Sequence, residues 1–403
     1  MAVSRTGTTT VAWTVSVDSG EVRTMDVPAA PGDPQSPAGP PDPQHREVFD
    51  VFGDGVLGVD ATDAQTLLWL SDERGRGAGP APFTEFFDIV VADRSPGGRW
   101  SSAPTVLGAG YVHSHQLVVN AAGAAVVVWS LFEGRKSLIY ASHREAAGAE
   151  WTPMELVAKD ASSEEVGIDD AGRVLLLFSR GHNARTRLYA VRRTPTDGWG
   201  PSTRLHGGWL HDDFALAANG SAMVVRTRVS YDGNTPQGSQ FTLRMTPSGS
   251  WQRPVRQPTL TEGVYGRSID MDAKGRALKA WWHGTDLMVR WSRPGGEWRR
   301  PCVLATDVKR PRSLSPDARL SVNRAGDALV VWGAKGRVPQ LWARLKPAGH
   351  AWSEPIKVTP ESSLPDEYTT DLGDGGYAAI AWIPRNGRQL VVRTVSLNAG
   401  GRD

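Results

Sequence analysis

A single cysteine in 403 residues, Cys302, excludes an intramolecular disulfide framework and any cysteine-cluster metal site. Its setting, Pro301-Cys302-Val303-Leu304, reads as a buried strand position and predicts an inert core thiol. Charge of one sign is lacking as well. With 45 basic against 43 acidic residues, the net charge of +2 offers no bulk field for nucleic acid or an anionic membrane. No stretch reaches the roughly 18 apolar residues of a membrane span. Met1-Ala2-Val3-Ser4-Arg5-Thr6-Gly7 has no charged region leading into an apolar run of signal-peptide length. The expectation is a soluble monomer without nucleic-acid partner, membrane span or export signal, extracellular if a leader has been removed and otherwise cytoplasmic. Helical periodicity is scarce, and no serine elbow, phosphate-cradling glycine loop or zinc-protease helix is written in the chain, so no cofactor is expected.

What is abundant is tryptophan, 16 residues of it, and glycine, 44 residues. They fall into a repeat best seen in Val118-Val119-Asn120-Ala121-Ala122-Gly123-Ala124-Ala125-Val126-Val127-Val128-Trp129. An apolar run, an Asx, two linking residues, a glycine and a second apolar run closed by an indole read as strand, tight turn, strand. The Asx caps its own turn, and the glycine supplies the left-handed conformation that a bulged hairpin turn requires. The chain writes this motif eight times, around Gly7, Asp63, Gly123, Gly172, Gly220, Gly275, Gly326 and Gly376. Aspartate replaces glycine in the second copy, where it tolerates the left-handed region better than most residues.

Each copy continues into a third run alternating with period two, such as Leu341-Trp342-Ala343-Arg344, the mark of a strand with one buried face. A second tryptophan then follows a glycine turn, in Gly98-Arg99-Trp100, Gly148 to Trp151, Gly198-Trp199, Gly249-Ser250-Trp251, Gly296-Glu297-Trp298 and Gly349 to Trp352, and an apolar fourth strand comes after it. Four strands and about fifty residues per repeat predict an all-β chain, a β-propeller of four-stranded antiparallel blades. Eight blades is the simplest count, with 45–51 as the outer strand of copy one; seven is the alternative. Residues 1–403 are expected to form one domain, interrupted by a Pro/Gly-rich loop at 28–44. Both tryptophan series are expected to pack between blades, with Arg94, Arg144, Arg193, Arg244 and Arg344 lying against the rings.

The glycine-turn-tryptophan series stands where sialidase-like propellers carry the Asp-box, Ser-x-Asp-x-Gly-x-x-Trp, between the third and fourth strands of a blade. The chain resembles bacterial propellers with degenerate versions of that loop over most of its length. Ser95-Pro96-Gly97-Gly98-Arg99-Trp100 keeps the outline without the aspartate. The resemblance implies a fold-stabilising turn remote from any active site. Sialidase activity is not implied, because a three-arginine clamp and a Tyr/Glu pair have no matching motifs in this chain.

In a propeller the loops that lead into the innermost strands gather on one face around the central channel. About eight residues before the turn glycines the sequence turns polar: His115, Glu164 and Glu165, Asp212 and Asp213, Arg267, Arg319 and Tyr368. Neighbouring loops add His113, Trp209, His211, Tyr265, Arg310, Arg312, Asp366 and Glu367, and the other loop set adds Arg180, His182, Trp282, His283 and Arg385. A mixture of acids, bases and aromatics at one opening suits a polar ligand. Two metal readings attach to it. His113 and His115, at i and i+2 on an extended segment, would face the same way and with Asp212 or Glu164 hold zinc, and His211-Asp212-Asp213 would hold calcium.

The function expected from these features is recognition of a glycan, peptide or protein partner at the channel face without catalysis. The alternative is a propeller-type carbohydrate-active enzyme, a glycoside hydrolase or lyase, drawing its acid and base from Glu164, Glu165, Asp212, Asp213 or His115.

Overall fold

The structure, a computed structural model, describes residues 1–3, 5–14, 21–27, 47–50, 52–71, 86–134, 136–181, 186–207, 212–232, 235–256, 268–308, 318–334, 340–359, 365–384 and 391–397. The loop expected at 28–44 lies outside them. Among the described residues there is no α-helix, and the strands form antiparallel sheets in which sequence neighbours pair. The chain divides into two compact units. The first contains Met1–Ser4, Thr10–Val27 and Pro41–Gly208, and the second contains Trp209–Asp403 together with Arg5–Thr9 and Pro28–Pro40.

The hairpin turn is the local rule from which each sheet grows. In copy three the Asn120 Oδ1 accepts the backbone N–H groups of Ala122 and Ala124, each at 3.0 Å, while the Gly123 N–H donates to the Asn120 carbonyl at 3.0 Å. Asp60, Asp169 and Asp272 cap their turns in the same way, and the Asn323 Oδ1 accepts the N–H groups of Gly326 and Asp327. Copy five has Ala217 at the Asx position, and Asn219 takes over, accepting from Ser221 N–H at 2.9 Å. All eight turn residues have positive φ, Asp63 included at 70°. The fourth residue therefore has to tolerate the left-handed region whatever else the copy contains.

Copy one, in the first unit except for Thr9, is the sheet Ala2–Val3, Thr9–Thr14, Glu21–Val27 and Glu47–Asp50, with the outer strand inside the range expected for it. Copy two runs Phe52–Val59, Gln65–Ser71 and Phe86–Arg94, then shares the long strand Thr105–Val119 with copy three, which adds Ala125–Glu133, Lys136–Arg144 and Glu155–Lys159. The first part of the shared strand pairs with Phe86–Arg94 and the second with Ala125–Glu133; a bulge between Val112 and Ser114 marks the change of partner. Copy four is Ser162–Ile168, Val174–Arg180 and Arg187–Thr194, with Gly198–Trp199 and Thr203–Gly207 both paired to the third strand.

In the second unit, copy five is Asp212–Leu216, Ala222–Asp232, Thr235–Met245 and Val255–Arg256, and copy six is Ser268–Met271, Ala277–His283, Asp286–Trp291 and Cys302–Ala305. Copy seven is Arg319–Val322, Ala328–Ala334, Gln340–Lys346 and Ile356–Lys357. Copy eight has the three described strands Pro365–Leu372, Tyr377–Pro384 and Val391–Ser396.

The core lies between sheets rather than within one. On the second strand of copy three, Val127 and Trp129 join Leu68, Phe87 and Ile89 of copy two, while Val126 and Val128 join Leu176 and Phe178 of copy four. Alternate side chains thus serve opposite neighbours, which is why these strands read as unbroken apolar runs. Trp69, Trp129, Trp281, Trp332 and Trp382 are all buried. An indole covers roughly 150–250 Å², about 4–6 kcal/mol of transfer free energy before ordering entropy is counted. Phe178 and Arg226 hold the equivalent position in copies four and five, both buried. The fourth-strand series is mostly half-buried, with Trp100 the fully covered member.

Two expectations are corrected. Cys302 is exposed: it lies on an outermost strand where a bulge, with Leu287 opposite Ala305 and Met288 opposite Val303, makes Leu304 the buried residue. Arg94 and Arg144 do lie over Trp100 and Trp151, at 4.8 and 5.2 Å. Arg244, however, is one residue out of step: Met245 takes the bridge position opposite Trp251 that Arg94 takes opposite Trp100, so Arg244 projects from the other side of its strand.

Candidate functional site

The channel-face residues fall on the two units separately. In the first, His113 is the extra residue of the bulge; its exposed ring lies on Phe132 at 4.6 Å and its Nε2 meets Ser137 Oγ at 3.2 Å. Desolvation there pushes its imidazole below the ordinary histidine range. His115 is half-buried and pairs with Trp129 in register. The bulge breaks the alternation that would have aimed both rings at one ion. Glu164 lies at another bulge, between Ser163 and Glu165, on the strand adjoining that of Ser114, whose Oγ is 2.9 Å from Ser163 Oγ.

In the second unit, Asp212 and Asp213 open an inner strand opposite Arg226 and Val225, Arg319 is exposed, and the half-buried Tyr368 donates its hydroxyl to the Val331 carbonyl at 3.4 Å. Trp282, expected at a loop, is buried in the cluster that also holds Trp332, since the two faces of its strand both meet apolar neighbours. Arg267, Trp209, His211, Tyr265, Arg310, Arg312, His182 and Arg385 lie outside the described residues. No group of three or more His, Cys, Asp or Glu side chains that could hold a metal ion occurs among the described residues.

Asp270, on the inner strand of copy six, was not legible as a site residue. Its two carboxylate oxygens accept the N–H groups of Val322 and Met271, both at 2.7 Å. It keeps some contact with solvent yet is densely enclosed by protein, and that enclosure, with the Asp371 carboxylate adding repulsion, pushes its pKa up to about 7.

The described residues of the second unit also form a notch between copies five and six, with a volume of about 480 Å³. It grows from the turn Arg293–Trp298, closed by Arg293 N–H to the Glu297 carbonyl at 2.7 Å and Gly296 N–H to the Arg293 carbonyl at 2.8 Å. Gly296 has φ of 90°, and a Cβ there would come within 2.9 Å of the Arg244 side chain. The glycine thus lets the copy-six turn settle on Arg244 of copy five, whose Nη1 donates to the Arg293 carbonyl at 3.4 Å.

One wall is Trp298, whose indole N–H donates to Thr242 Oγ1 at 3.4 Å. Arg290 lies 4.6 Å over the same ring and 5.3 Å over Trp281. The outer strand of copy five and the residues leading into it add Gln252, Arg253 and Arg256, all exposed. Four arginines therefore border the space, and Glu297 is its sole acid among the described residues, ion-paired to Arg293 at 3.3 Å on the exposed rim. Burial pulls the Arg290 guanidinium down to about 10 and lowers that of Arg244, so both stay cationic at neutral pH while costing solvation.

No known family profile matches the chain, and no curated protein matches its sequence. Solved structures do match. The BP39L lectin from Burkholderia pseudomallei superimposes with a TM-score of 0.56 at 12% identity, over 87% of this chain and 97% of the lectin. The chain is a β-propeller. A polysaccharide lyase, an ulvan lyase bound to -[GlcA(1-4)Rha3S]-, gives a TM-score of 0.49 at 9% identity over 85% of this propeller and 91% of the lyase. A Hadza microbial sialidase gives 0.42 at 12% identity over 79% and 75%. Likeness at such identities concerns fold, so function has to be argued from the sites.

Proposed function

We propose that this propeller binds a saccharide and does not transform it. The observation that carries the reading is the copy-five and copy-six notch, a concave space of about 480 Å³ with an indole wall and several long hydrogen-bond donors around it. An aromatic face and convergent donors are what a hydroxyl-rich ring needs for stacking and orientation. Glycoside hydrolysis ordinarily needs two carboxyl groups flanking the bond to be cut, whereas this notch offers Glu297 alone among the described residues, already held by Arg293.

Further contact surfaces are proposed on each unit by itself, through His113, His115 and Glu164 on the first and through Asp212, Asp213, Arg319 and Tyr368 on the second, with Arg267 added from the sequence. Residues 1–403 are proposed as a single domain of eight blades; one cooperative thermal transition is the expected outcome, and two separate transitions contradict it.

The test is a glycan-array screen with the full chain, followed by incubation of every bound saccharide and chromatography of the products. Retention of one saccharide class without turnover is the expected result. Cleavage products would transfer the chain to the enzyme reading, and an empty array would remove the saccharide reading.

A further inference from the structure

The chain contains its own comparison for the notch. Between copies one and two, Trp100 donates its indole N–H to Thr24 Oγ1 at 3.0 Å, the contact that Trp298 makes to Thr242 between copies five and six. Two residues after Thr24 stands Asp26; two residues after Thr242 stands Arg244. Opposite Trp100 in the bridge stands Arg94; opposite Trp298 stands Ser292.

The copy-one and copy-two notch is closed by its own ion pair. Arg94 donates to both carboxylate oxygens of Asp26, at 2.7 and 2.9 Å, with its guanidinium 4.8 Å over Trp100. The next notch repeats the device, with Arg144 2.6 Å from Asp93 and 5.2 Å over Trp151.

Between copies five and six the device is inverted. Arg290, from two residues earlier on the strand, supplies the guanidinium over the indole, at 4.6 Å. At the strand position that holds the carboxylate in the closed notch stands a second guanidinium, Arg244. Ser292, where Arg94 stands in the closed notch, is buried and carries no charge; its hydroxyl accepts the Ala277 N–H at 2.8 Å.

We propose that this notch takes an anionic group of its ligand, the carboxylate or sulfate of an acidic saccharide, in the position that an internal aspartate fills between copies one and two. The proposal rests on the saccharide reading for its ligand class and on the arginine geometry for its charge. Guanidinium groups match carboxylate and sulfate oxygens bidentately. The two partly buried arginines gain from an anion what burial costs them, and Arg253 and Arg256 on the exposed side extend the positive field to the mouth of the notch.

The test is calorimetric titration of the full chain with a glucuronate-containing disaccharide, with its carboxyl-reduced neutral counterpart, and with sodium sulfate. The acidic disaccharide is expected to bind at least ten times more tightly than the neutral one, and to weaken severalfold between about 50 and 300 mM salt, as screening requires. Arg253→Ala and Arg256→Ala, both on exposed positions, are each expected to lower that affinity threefold or more. The variant Arg244→Asp, which places a carboxylate at the strand position of Asp26, is expected to abolish anion binding while keeping the wild-type circular dichroism.

Equal binding of acidic and neutral disaccharides, untouched by the arginine variants, overturns the proposal and leaves the saccharide reading standing. Arginine-dependent binding of sulfate with no saccharide bound supports the anion site and removes the saccharide reading. Failure of both acidic probes overturns the proposal.

Discussion

Arg94 and Asp26, sixty-eight residues apart, join copies one and two by a two-pronged ion pair beneath an indole, with Arg94 only 8% exposed and Asp26 25%. Truncating the arginine leaves a partly buried carboxylate without its cation, the costly way to break such a pair. Arg94→Met is expected to destabilise the chain by about 2–4 kcal/mol, read from urea unfolding. Adding Asp26→Leu to it should restore about half of that loss. No change in either variant would mean that the pair is a surface contact of little weight.

Glycines in equivalent turns should differ in how well they tolerate a side chain. Gly172 has φ of 70°, and an added methyl there would meet only Pro195 Cγ, at 3.5 Å, so Gly172→Ala should lose only left-handed strain, about 1–2 kcal/mol. Gly123 has φ of 78°, and a Cβ there would fall 2.6 Å from the Ala147 backbone nitrogen. Gly123→Ala should therefore lose distinctly more. Asp63→Gly, at φ of 70°, should gain up to about 1 kcal/mol. Thermal melts of the three variants give the order.

Asp270 sets a pH dependence with a definite sign. Its pKa is raised from 3.8 to about 7 in the folded chain, so the folded state holds a proton that the unfolded state has released across that window. Stability from this group accordingly falls as pH rises from about 4 to 7 and is flat above. In Asp270→Asn the group no longer titrates. The melting temperature of the variant minus that of the wild type should grow from about pH 4 to pH 7 and then level; a difference independent of pH contradicts the assignment.

Cys302 should react with a thiol reagent in the native chain without denaturant, since it is exposed on an outer strand. Partial desolvation raises its pKa, with Arg344 and Lys346 opposing, so the rate should keep climbing above about pH 9. Cys302→Ser should shift stability by less than about 0.5 kcal/mol. Protection until unfolding would restore the core-thiol reading.

The fold was legible because its rule is local. An Asx, a left-handed residue three positions on and an indole six positions beyond that specify a hairpin whose apolar strand is buried on both faces, and eight copies leave little room for another architecture. The same reading lost what depends on partners elsewhere. Nothing near His113 in sequence announces the bulge that turns it onto Phe132, since the bulge arises where the strand Thr105–Val119 changes partner. Arg244 passed for one more ring-stacking arginine because a shift of one residue on a strand moves a side chain to the other face.

The notch was invisible for a related reason: its residues come from the third strand of one copy and the turn of the next. A signal was nevertheless present. Placing the third strands by their tryptophans rather than by their arginines sets Arg244 beside Asp93, and that break in sign is where the open notch lies.

The most direct measurement is a crystal structure of the full chain soaked with the glucuronate-containing disaccharide. The account predicts a sugar against Trp298 with its carboxylate between the guanidinium groups of Arg244 and Arg290. An empty notch with the same disaccharide ordered at the inner-strand loops would contradict it.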